Sequence, residues 1–430
     1  MSLKRRDFLR LTAGNAAAGT AMIYGLSSFT SYSAGKSSIL DNLAPMTSDV
    51  VPISLQEREA RIEKVQRLMV ENKIEALVLD SGTSLKYFTG ISWWPSERTM
   101  VAVIPAKGDV KYVSPAFEAE RLRQLIKIGK DVRTWEEHES PYKQIAGIFK
   151  DFGIKGGNIG MEERLRFFIF DGVRKEASNL NYVNGDTVTM PCRLIKSPAE
   201  LALMQKATDI TLAAYKVGIS LLEEGMTPAD FSTITAEAHS KLGAAGGISV
   251  NFGEASAYPH GSIEPQHLKK GDIVLMDGGC EVEGYASDIS RTIVFGAEPT
   301  KRQREIWDLE KKAQGAGFAA AQLGSPCENV DFAARKVIVD AGFGPDYKIP
   351  GLPHRTGHGI GMDGHEWGNM VKGNKLPLQA GMCFSIEPNI SIYGEFGVRL
   401  EDCAYMTPQG AKWFSAPSVS INEPIAGFKV

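Results

Sequence analysis

Residues 352–367 read LPHRTGHGIGMDGHEW, and they place three of the chain's seven histidines within twelve positions. The three are His354, His358 and His365, and glycines surround them. A histidine in an ordinary core or surface position needs no such neighbours, whereas clustered imidazoles are typical of metal and catalytic sites. The stretch therefore predicts a metal or catalytic site.

Two aspartates stand at the ends of predicted strands upstream of this stretch. Asp277 follows the apolar residues 273–276, and Asp288 precedes a predicted strand at 289–294. A turn between two short strands would bring the two carboxylates together, although an Asp before Gly is also common in plain turns. Taken alone, the pair is a weak indication of a site.

Two glutamates downstream show the same placement. Glu387 ends a strand predicted over 384–388, and Glu401 lies in a strand predicted over 398–406. The period of two puts Arg399 and Glu401 on one face of that strand. A carboxylate that faces inward needs a partner, and either Arg399 or a metal ion would serve.

These carboxylates and one imidazole form a candidate metal site, because so many acids do not pack together without cations. An oxygen-rich set with one imidazole suits two divalent ions, and manganese, iron, cobalt and zinc are all admissible. Two-metal hydrolases use such ions to activate a bridging water. The candidate ligands are Asp277, Asp288, His358, Glu387 and Glu401.

The composition bounds the class of protein. A chain of 430 residues with 43% hydrophobic and 23% charged residues is long enough for two or three globular domains. The net charge is −3, and it becomes −6 (44 basic against 50 acidic residues) without residues 1–33, so nucleic acid and anionic lipid are not expected partners. The five cysteines show no CxxC spacing, which argues against a zinc knuckle or a disulfide framework.

Residues 1–33 have the layout of an export leader. A basic stretch, Lys4-Arg5-Arg6-Asp7-Phe8-Leu9-Arg10, precedes a weakly apolar run rich in Ala and Gly, and it resembles a twin-arginine signal. We therefore expect a periplasmic or otherwise exported protein. A membrane span is not expected, because the run is less apolar than a transmembrane helix, but retention as an uncleaved anchor stays open.

Two domains are predicted after a spacer at 34–54. Strands that alternate with helices indicate an α/β domain over 55–188. A long helix at 199–224, and later strands that helices do not regularly separate, indicate an α+β domain with a largely antiparallel sheet over 189–430.

From about Leu194 to the C-terminus the chain resembles the pita-bread metallopeptidases: prolidase (Xaa-Pro dipeptidase), aminopeptidase P, methionine aminopeptidase and the metal-free creatinase. Residues 56–185 resemble the N-terminal domain of prolidase, aminopeptidase P or creatinase through Leu85-Lys86-Tyr87-Phe88-Thr89-Gly90. The residues that carry the main resemblance are Ile195-Lys196-Ser197-Pro198 with Glu200, His260, Leu268 with Gly271-Asp272, Asp277, Asp288, His354 with Thr356-Gly357-His358-Gly359-Ile360-Gly361, His365-Glu366, Glu387-Pro388 and Gly397-Val398-Arg399-Leu400-Glu401.

The resemblance implies a pita-bread catalytic domain and a metal-dependent peptidase that hydrolyses Xaa-Pro bonds of dipeptides or short peptides through a metal-bridged hydroxide. It implies two divalent ions, manganese first among the candidates, with Asp288 chelating one ion, Asp277 and Glu401 bridging, and His358 and Glu387 completing the set. Further implied roles are proton transfer for Glu387, substrate positioning for His260 and His365, pocket shaping for His354, and ligand-carboxylate orientation for Arg399.

The resemblance further implies a homodimer in which the N-terminal domain closes the neighbouring subunit's site. Trp93, Trp94 and Arg98 are the candidates for that wall, and a hydrophobic loop packed within its own domain is the alternative. Asp363-Gly364 and Trp367 depart from the usual prolidase pattern at positions expected to line the pocket. The same metal site could therefore act on a small amide, an organophosphate or, by lyase chemistry, a sulfonium compound. A non-catalytic binding module is a further alternative, but it would require lost ligands, and all five are present.

Overall fold

Residues 55–193 alternate helices and strands around a mixed sheet of six strands. The computed structural model describes residues 39–430, and the predicted leader at 1–33 lies outside them. The sheet has the order β4-β3-β2-β1-β5-β6 within this part of the chain. Its elements are α1 (Leu55–Glu71), β1 (Ile74–Asp80), α2 (Thr83–Thr89), β2 (Val101–Pro105), β3 (Lys111–Pro115), α3 (Ala119–Leu125), β4 (Asp131–Trp135), α4 (Pro141–Asp151), β5 (Asn158–Met161), α5 (Phe167–Glu176), β6 (Asn181–Asn184) and α6 (Asp186–Arg193).

The pairing of these strands confirms the predicted α/β class. Strand β1 pairs antiparallel with β2 and parallel with β5, so chain reversal and crossover both occur in one sheet. Strand β1 is almost wholly buried, as its apolar run predicts. Helix α6 crosses residue 188, where we predicted a domain boundary; that boundary and the spacer at 34–54 stay predictions.

The later part of the chain is α+β, as predicted. All of its strand pairs among the described residues are antiparallel. Its elements are α7 (Pro198–Ser220), α8 (Pro228–Lys241), β7 (Ala245–Phe252), β8 (Ile273–Val282), β9 (Tyr285–Ala286), β10 (Ile289–Val294), α9 (Lys301–Ala320), α10 (Glu328–Asp340), β11 (Gly357–Gly359), β12 (Glu366–Met370), β13 (Cys383–Ile386), β14 (Asn389–Ile392), β15 (Phe396–Arg399), β16 (Asp402–Thr407) and β17 (Gly410–Trp413).

The motif at 197–200 starts the long helix α7. The Ser197 hydroxyl accepts a hydrogen bond from the Glu200 amide, and the Glu200 carboxylate accepts one from the Ser197 amide. This reciprocal capping box, with Pro198 in the first turn, is a strong helix start. The helix ends at Ser220, four residues before the predicted end at 224.

The predicted strand over 398–406 is wrong, because the chain leaves one sheet and enters another within it. Strand β15 pairs with β14, whereas β16 pairs with β13. Between them, Glu401 forms an isolated bridge with Ser290 of β10. The break places Glu401 where three strands meet.

None of the helices within residues 39–430 combines the length and the apolar composition that a bilayer crossing requires. Residues 44–430 form one compact unit by their contacts. All five cysteines are buried free thiols, as the lack of paired spacing predicts.

Helix α9 carries a carboxylate into the core. Ile306, Trp307 and Ala313 of this helix pack in a cluster with Val398 and Leu400. Glu310 lies on the buried face of this helix and is fully inaccessible to solvent. Burial raises its pKa well above the usual value; the Leu400 amide and the Arg399 charge counter only part of this, and no hydrogen bond of ordinary geometry reaches either oxygen from within the described chain.

Glu310→Gln is expected to stabilise the protein, and more so at high pH. The raised pKa means that the folded state prefers the protonated acid, so stability is lost as pH rises above the ordinary Glu value. Gln removes this loss, and we expect the midpoint of thermal unfolding to rise by about 2 °C at pH 8 and by less at pH 5. Scanning calorimetry at both pH values measures this, with Glu305→Gln on the exposed face as the control. An equal shift at both pH values would contradict the explanation.

Candidate metal centre

The five predicted ligands come together at the junction of the strands of the later sheets. Asp277 lies within β8 and Asp288 directly before β10, and these strands pair so that Asp277 stands opposite Ser290. His358 lies in β11 and Glu387 directly after β13, which pairs with β11. Each side chain is thus presented by a hydrogen-bonded strand or by its end.

The ligand atoms form three overlapping triads. Within each triad, one donor atom from each residue lies within 4.8 Å of the other two. The triads are Asp277–Asp288–Glu401, His358–Glu387–Glu401 and Asp288–His358–His365. Because they share members, the set forms one continuous cluster.

His358 is oriented as a ligand. Its Nδ1 lies 3.1 Å from the carbonyl oxygen of Gly359, and a carbonyl can only accept, so Nδ1 carries a proton. Nε2 faces the carboxylates of Glu387 (3.1 Å), Asp288 (3.7 Å) and Glu401 (3.9 Å). Without metal, Nε2 carries a proton and donates to Glu387; burial acts to lower the pKa of His358, but these carboxylates raise it, and a metal ion would take the place of that proton. Fixing the tautomer through the other nitrogen is typical of metal-binding histidines.

The electrostatics of the cluster fit bound cations. Glu401 is 1% exposed, and its Oε1 has no hydrogen-bond partner within residues 39–430. Burial raises the pKa of Glu401 well above its ordinary value, and burial with the neighbouring Asp277 raises the pKa of Asp288 to about 7. Buried oxygens without partners are costly unless a cation or a proton satisfies them. This donor set therefore suits divalent metal ions.

Glu387 differs electrostatically from its neighbours. Burial acts to raise the pKa of Glu387, but the hydrogen bond and charge of His358 lower it to about 2. The Ser385 hydroxyl also donates to Glu387 at 3.2 Å. Glu387 is thus held in the ionised form that a metal ligand requires.

Arg399 neutralises part of the acid cluster, but its ion pair is with Asp277 and not with Glu401, the partner that the strand period suggested. Its Nη2 lies 2.6 Å from Asp277 Oδ2. Its Nε donates to the Ser290 hydroxyl at 2.9 Å. Arg399 therefore orients one of the candidate ligands.

Ser290 was missed by sequence reasoning. Its hydroxyl lies 2.9 Å from Asp277 Oδ1 and 2.8 Å from Glu401 Oε2, in addition to its contact with Arg399. It stands two residues after Asp288, so the strand period alone would have placed it on the same face.

His365 lies at the open side of the cluster. Its ring centroid is 3.9 Å from that of His358, and Arg355 Nη2 lies 3.1 Å from its Nδ1. A guanidinium only donates, so Nδ1 accepts and Nε2 carries the proton when the ring is neutral. Burial and the nearby His358 and Arg355 lower the pKa of His365, which favours that neutral donor.

The other two predicted histidines have different surroundings. His260 is exposed and lines a cavity of about 580 Å³ together with Asp277 and Arg399. His354 is half-buried, its Nδ1 lies 2.7 Å from the Arg355 carbonyl, and its Nε2 has no partner within the described residues. Both positions remain compatible with the predicted contacts to substrate.

The residues predicted to form a wall do not line the cavity at Asp277 and His260 of their own chain. Trp93, Trp94 and Arg98 line a separate cavity of about 370 Å³ that shares none of its lining residues. Trp94 is 86% exposed, and Arg98 pairs with Glu137. Trp94 thus does not pack within its own domain, and the role as a wall stays a prediction.

Asp363 borders a small cleft of about 160 Å³ together with His365 and Trp367, and two arginines hold its carboxylate. Its Oδ2 lies 2.5 Å from Arg193 Nη2, and its Oδ1 lies 2.8 Å from Arg164 Nη1. Neither Asp363 nor Trp367 is among the residues that line the cavity at Asp277 and His260, so their role in the substrate pocket stays a prediction.

A strand-built cluster of four carboxylates and an imidazole at the edge of an open cavity defines a metal-dependent hydrolase. The chain belongs to metallopeptidase family M24, which residues 202–408 match, and residues 61–195 match the creatinase/prolidase N-terminal domain. It is a metallopeptidase with the pita-bread fold that the resemblance implied.

Relatives of known name agree with this assignment. The chain is 32% identical over 366 residues to a Xaa-Pro dipeptidase of Lactobacillus delbrueckii subsp. lactis, a match that covers 83% of this chain and 97% of that protein. Among solved structures, the dipeptidase PepE of Mycobacterium ulcerans is 29% identical with a TM-score of 0.78, covering 85% of this chain and 97% of that one. A prolidase of Thermococcus sibiricus is 28% identical with a TM-score of 0.77, covering 84% and 97%.

Proposed function

We propose that this metallopeptidase hydrolyses Xaa-Pro bonds in dipeptides or short peptides and uses two divalent ions, with manganese the first candidate. The observation that carries the proposal is the set of overlapping ligand triads within 4.8 Å. The relative named as a Xaa-Pro dipeptidase matches nearly its whole length to this chain, which supports the substrate class.

The residues divide into metal-holding and substrate-facing groups. The residues that would hold the ions are Asp277, Asp288, His358, Glu387 and Glu401. Bound divalent ions supply a Lewis acid for the scissile carbonyl and lower the pKa of water.

Side chains of the site would transfer the proton and position the substrate. Glu387 would accept the proton of the attacking water and pass it to the leaving amine. His365, as an Nε2–H donor, and His260 hold the substrate carbonyl, and His354 shapes the pocket. Arg399 keeps Asp277 oriented.

The test is peptide hydrolysis after removal and readdition of metal. Purified protein is treated with a chelator, dialysed, and assayed with manganese, cobalt, zinc or iron on Xaa-Pro dipeptides, Xaa-Pro-Yaa tripeptides and Xaa-Ala controls. We expect metal-restored cleavage of the proline peptides, and dipeptide against tripeptide preference distinguishes a dipeptidase from an aminopeptidase. Bound metal without cleavage of any peptide would contradict the proposal and favour a non-peptide substrate.

A homodimer in which the partner's N-terminal domain borders the site is part of the proposal. The exposure of Trp94 and the separate cavity at Trp93 and Arg98 support it, because these groups have room for a neighbour.

Trp93→Ala is expected to change the ratio of kcat/KM for dipeptides and tripeptides by about fivefold, since a lost wall contact is worth roughly 1 kcal/mol. The midpoint of thermal unfolding should move little. Steady-state kinetics and scanning calorimetry measure the two effects, with Phe167→Ala, an exposed aromatic residue of α5 outside this cavity, as the control. A large loss of stability with an unchanged ratio would favour packing within the domain.

Export to the periplasm through the predicted leader completes the proposal. The arginine pair Arg5-Arg6 supports it, and so does a cluster suited to metal loading before transit of the folded chain. Replacing both arginines by lysine should leave the full chain in the cytoplasmic fraction, and unchanged export would contradict this route.

A further inference from the structure

The turn between β11 and β12 joins two histidines of the site. His358 lies in β11, and His365 comes directly before β12, with Gly359 opposite Glu366 in the register. His365 touches the site through its ring contact with His358 and its contact with Arg355. Its position therefore depends on how firmly the turn over 360–365 is held.

Glu366 holds this turn from its inner side. Side chains of consecutive strand residues point to opposite faces, so Glu366 points away from His365. Its Oε1 accepts hydrogen bonds from the backbone amides of Met362 (3.0 Å) and Asp363 (3.2 Å). A Cβ on Gly361 would fall 2.6 Å from Glu366 Oε2, so the carboxylate packs directly against the turn.

Two buried cations hold Glu366 in turn. Arg193 Nη2 lies 2.5 Å from both Glu366 Oε1 and Asp363 Oδ2, and Lys196 Nζ lies 2.8 Å from Glu366 Oε2. The side chains of Arg193, Lys196 and Glu366 are 1–2% exposed. One guanidinium nitrogen therefore contacts both Asp363, in the turn, and Glu366, directly after it.

Arg193 also connects the turn to the N-terminal part of the chain. Its Nη1 lies 3.2 Å from the Ser84 hydroxyl of α2. On the other side of Asp363, Thr83 and Arg164 contact Oδ1 at 2.7 and 2.8 Å. The turn is thus clamped between the two parts of the protein.

We propose that Arg193 is a positioning residue for catalysis, which acts through Glu366 and Asp363 to hold the turn that places His365 beside the metal cluster. A buried ion pair adds little net stability compared with apolar packing, but it fixes geometry in directions that apolar contacts do not. The proposal rests on the function proposed for His365.

Arg193→Lys is the main test, because it keeps the buried positive charge. A single ammonium on a flexible stem does not reproduce the planar fork that contacts two carboxylates and Ser84. A displacement of about 1 Å in a catalytic group costs up to roughly 10²-fold. We expect kcat on a Xaa-Pro dipeptide to fall about tenfold, with KM and bound metal per chain nearly unchanged.

A double-mutant cycle separates positioning from general damage. If Arg193 acts through His365, Arg193→Lys should cost less than about twofold in kcat when His365 is already Ala. An equal fall in both backgrounds, or a His365→Ala variant with wild-type kcat, would overturn the proposal.

A second readout does not depend on activity. In ¹⁵N-histidine spectra of the metal-free protein, the His365 ring signals, assigned by their loss in His365→Ala, should shift in Arg193→Lys while those of His138 stay in place. Unchanged His365 signals would overturn the positioning role even in an active enzyme. Absence of peptide cleavage by the wild-type protein would instead refute the proposed function, so the two failures are distinguishable.

Arg61→Lys is the matched control. Arg61 is also buried, contacts the Tyr87 carbonyl of α2 and pairs with Glu200 of α7 at 3.4 Å, so it too joins the two parts of the chain. Its side chain does not contact the turn. We expect the midpoint of thermal unfolding of Arg61→Lys to fall about as much as that of Arg193→Lys. Its kcat should stay within about twofold of wild type, and its His365 signals should not shift. A tenfold fall in kcat for this control would show that any break between the two parts disturbs the site, and would overturn the specific role of Arg193.

Discussion

Asp288→Ala is expected to release metal and to lower kcat/KM by about 10³-fold or more, because metal ions supply several kcal/mol of transition-state stabilisation. Asp288 belongs to two of the three ligand triads, so its loss removes a donor from both of them. The four other candidate ligands remain, but they offer fewer charged oxygens to a second ion. Metal per chain by mass spectrometry and dipeptide hydrolysis measure the two effects.

The fold should survive this substitution. Burial and the adjacent Asp277 raise the pKa of Asp288 to about 7, which shows that the metal-free cluster disfavours its charge. We therefore expect the thermal midpoint of the metal-free variant to equal or exceed that of the metal-free wild type. Asp308→Ala, on the exposed face of α9, is the control and should keep metal and activity. Wild-type turnover in Asp288→Ala would refute the metal scheme.

His365→Ala is expected to keep its metal and to lose about 10²- to 10³-fold in kcat, the usual effect of removing one donor to a developing oxyanion. The Arg355 contact leaves Nε2–H of His365 as a donor at the open side of the cluster. A donor used only in the transition state affects kcat more than KM. Steady-state kinetics with a metal analysis of the same preparation measures both.

The competing role for His365 is that of a ligand, since one of its ring nitrogens lies within 4.8 Å of donor atoms of Asp288 and His358. Loss of metal from His365→Ala would establish that role and contradict ours. His138→Ala, an exposed histidine of the N-terminal part, provides the control for loss of an imidazole. It should retain both metal and full kcat.

Local patterns indicated candidate ligands that the fold brings into one cluster, and their role as ligands stays a prediction. Asp277 and Asp288 stand at the ends of apolar runs, and the antiparallel pair β8–β10 brings them together as the connecting turn suggested. His358 lies in a glycine-rich strand that no ordinary packing requires. Chemistry that depends on such short-range spacing is legible in the chain itself.

Contacts between distant segments could not be predicted from the sequence. The chain leaves one sheet after Arg399 and enters another after Glu401. Strand β15 pairs with β14, and β16 pairs with β13. The local hydrophobic period of residues 398–406 does not encode these two different partners. Asp363, two residues before His365, pairs with Arg193, which lies 170 residues earlier in the chain.

The sequence by itself therefore determined the class of fold, the identities of the candidate ligands and the family resemblance, because alternating apolar patterns and motif spacing are properties of neighbouring residues. Only the tertiary structure decided which tautomer His358 presents, that Ser290 links Asp277 to Glu401, and that Arg193 and Lys196 clamp the histidine turn through Glu366. The contacts of Ser290 with Glu401, and of Arg193 and Lys196 with Glu366, join groups more than a hundred residues apart. These groups meet in a buried, weakly screened interior, where geometry rather than sequence spacing sets the interaction.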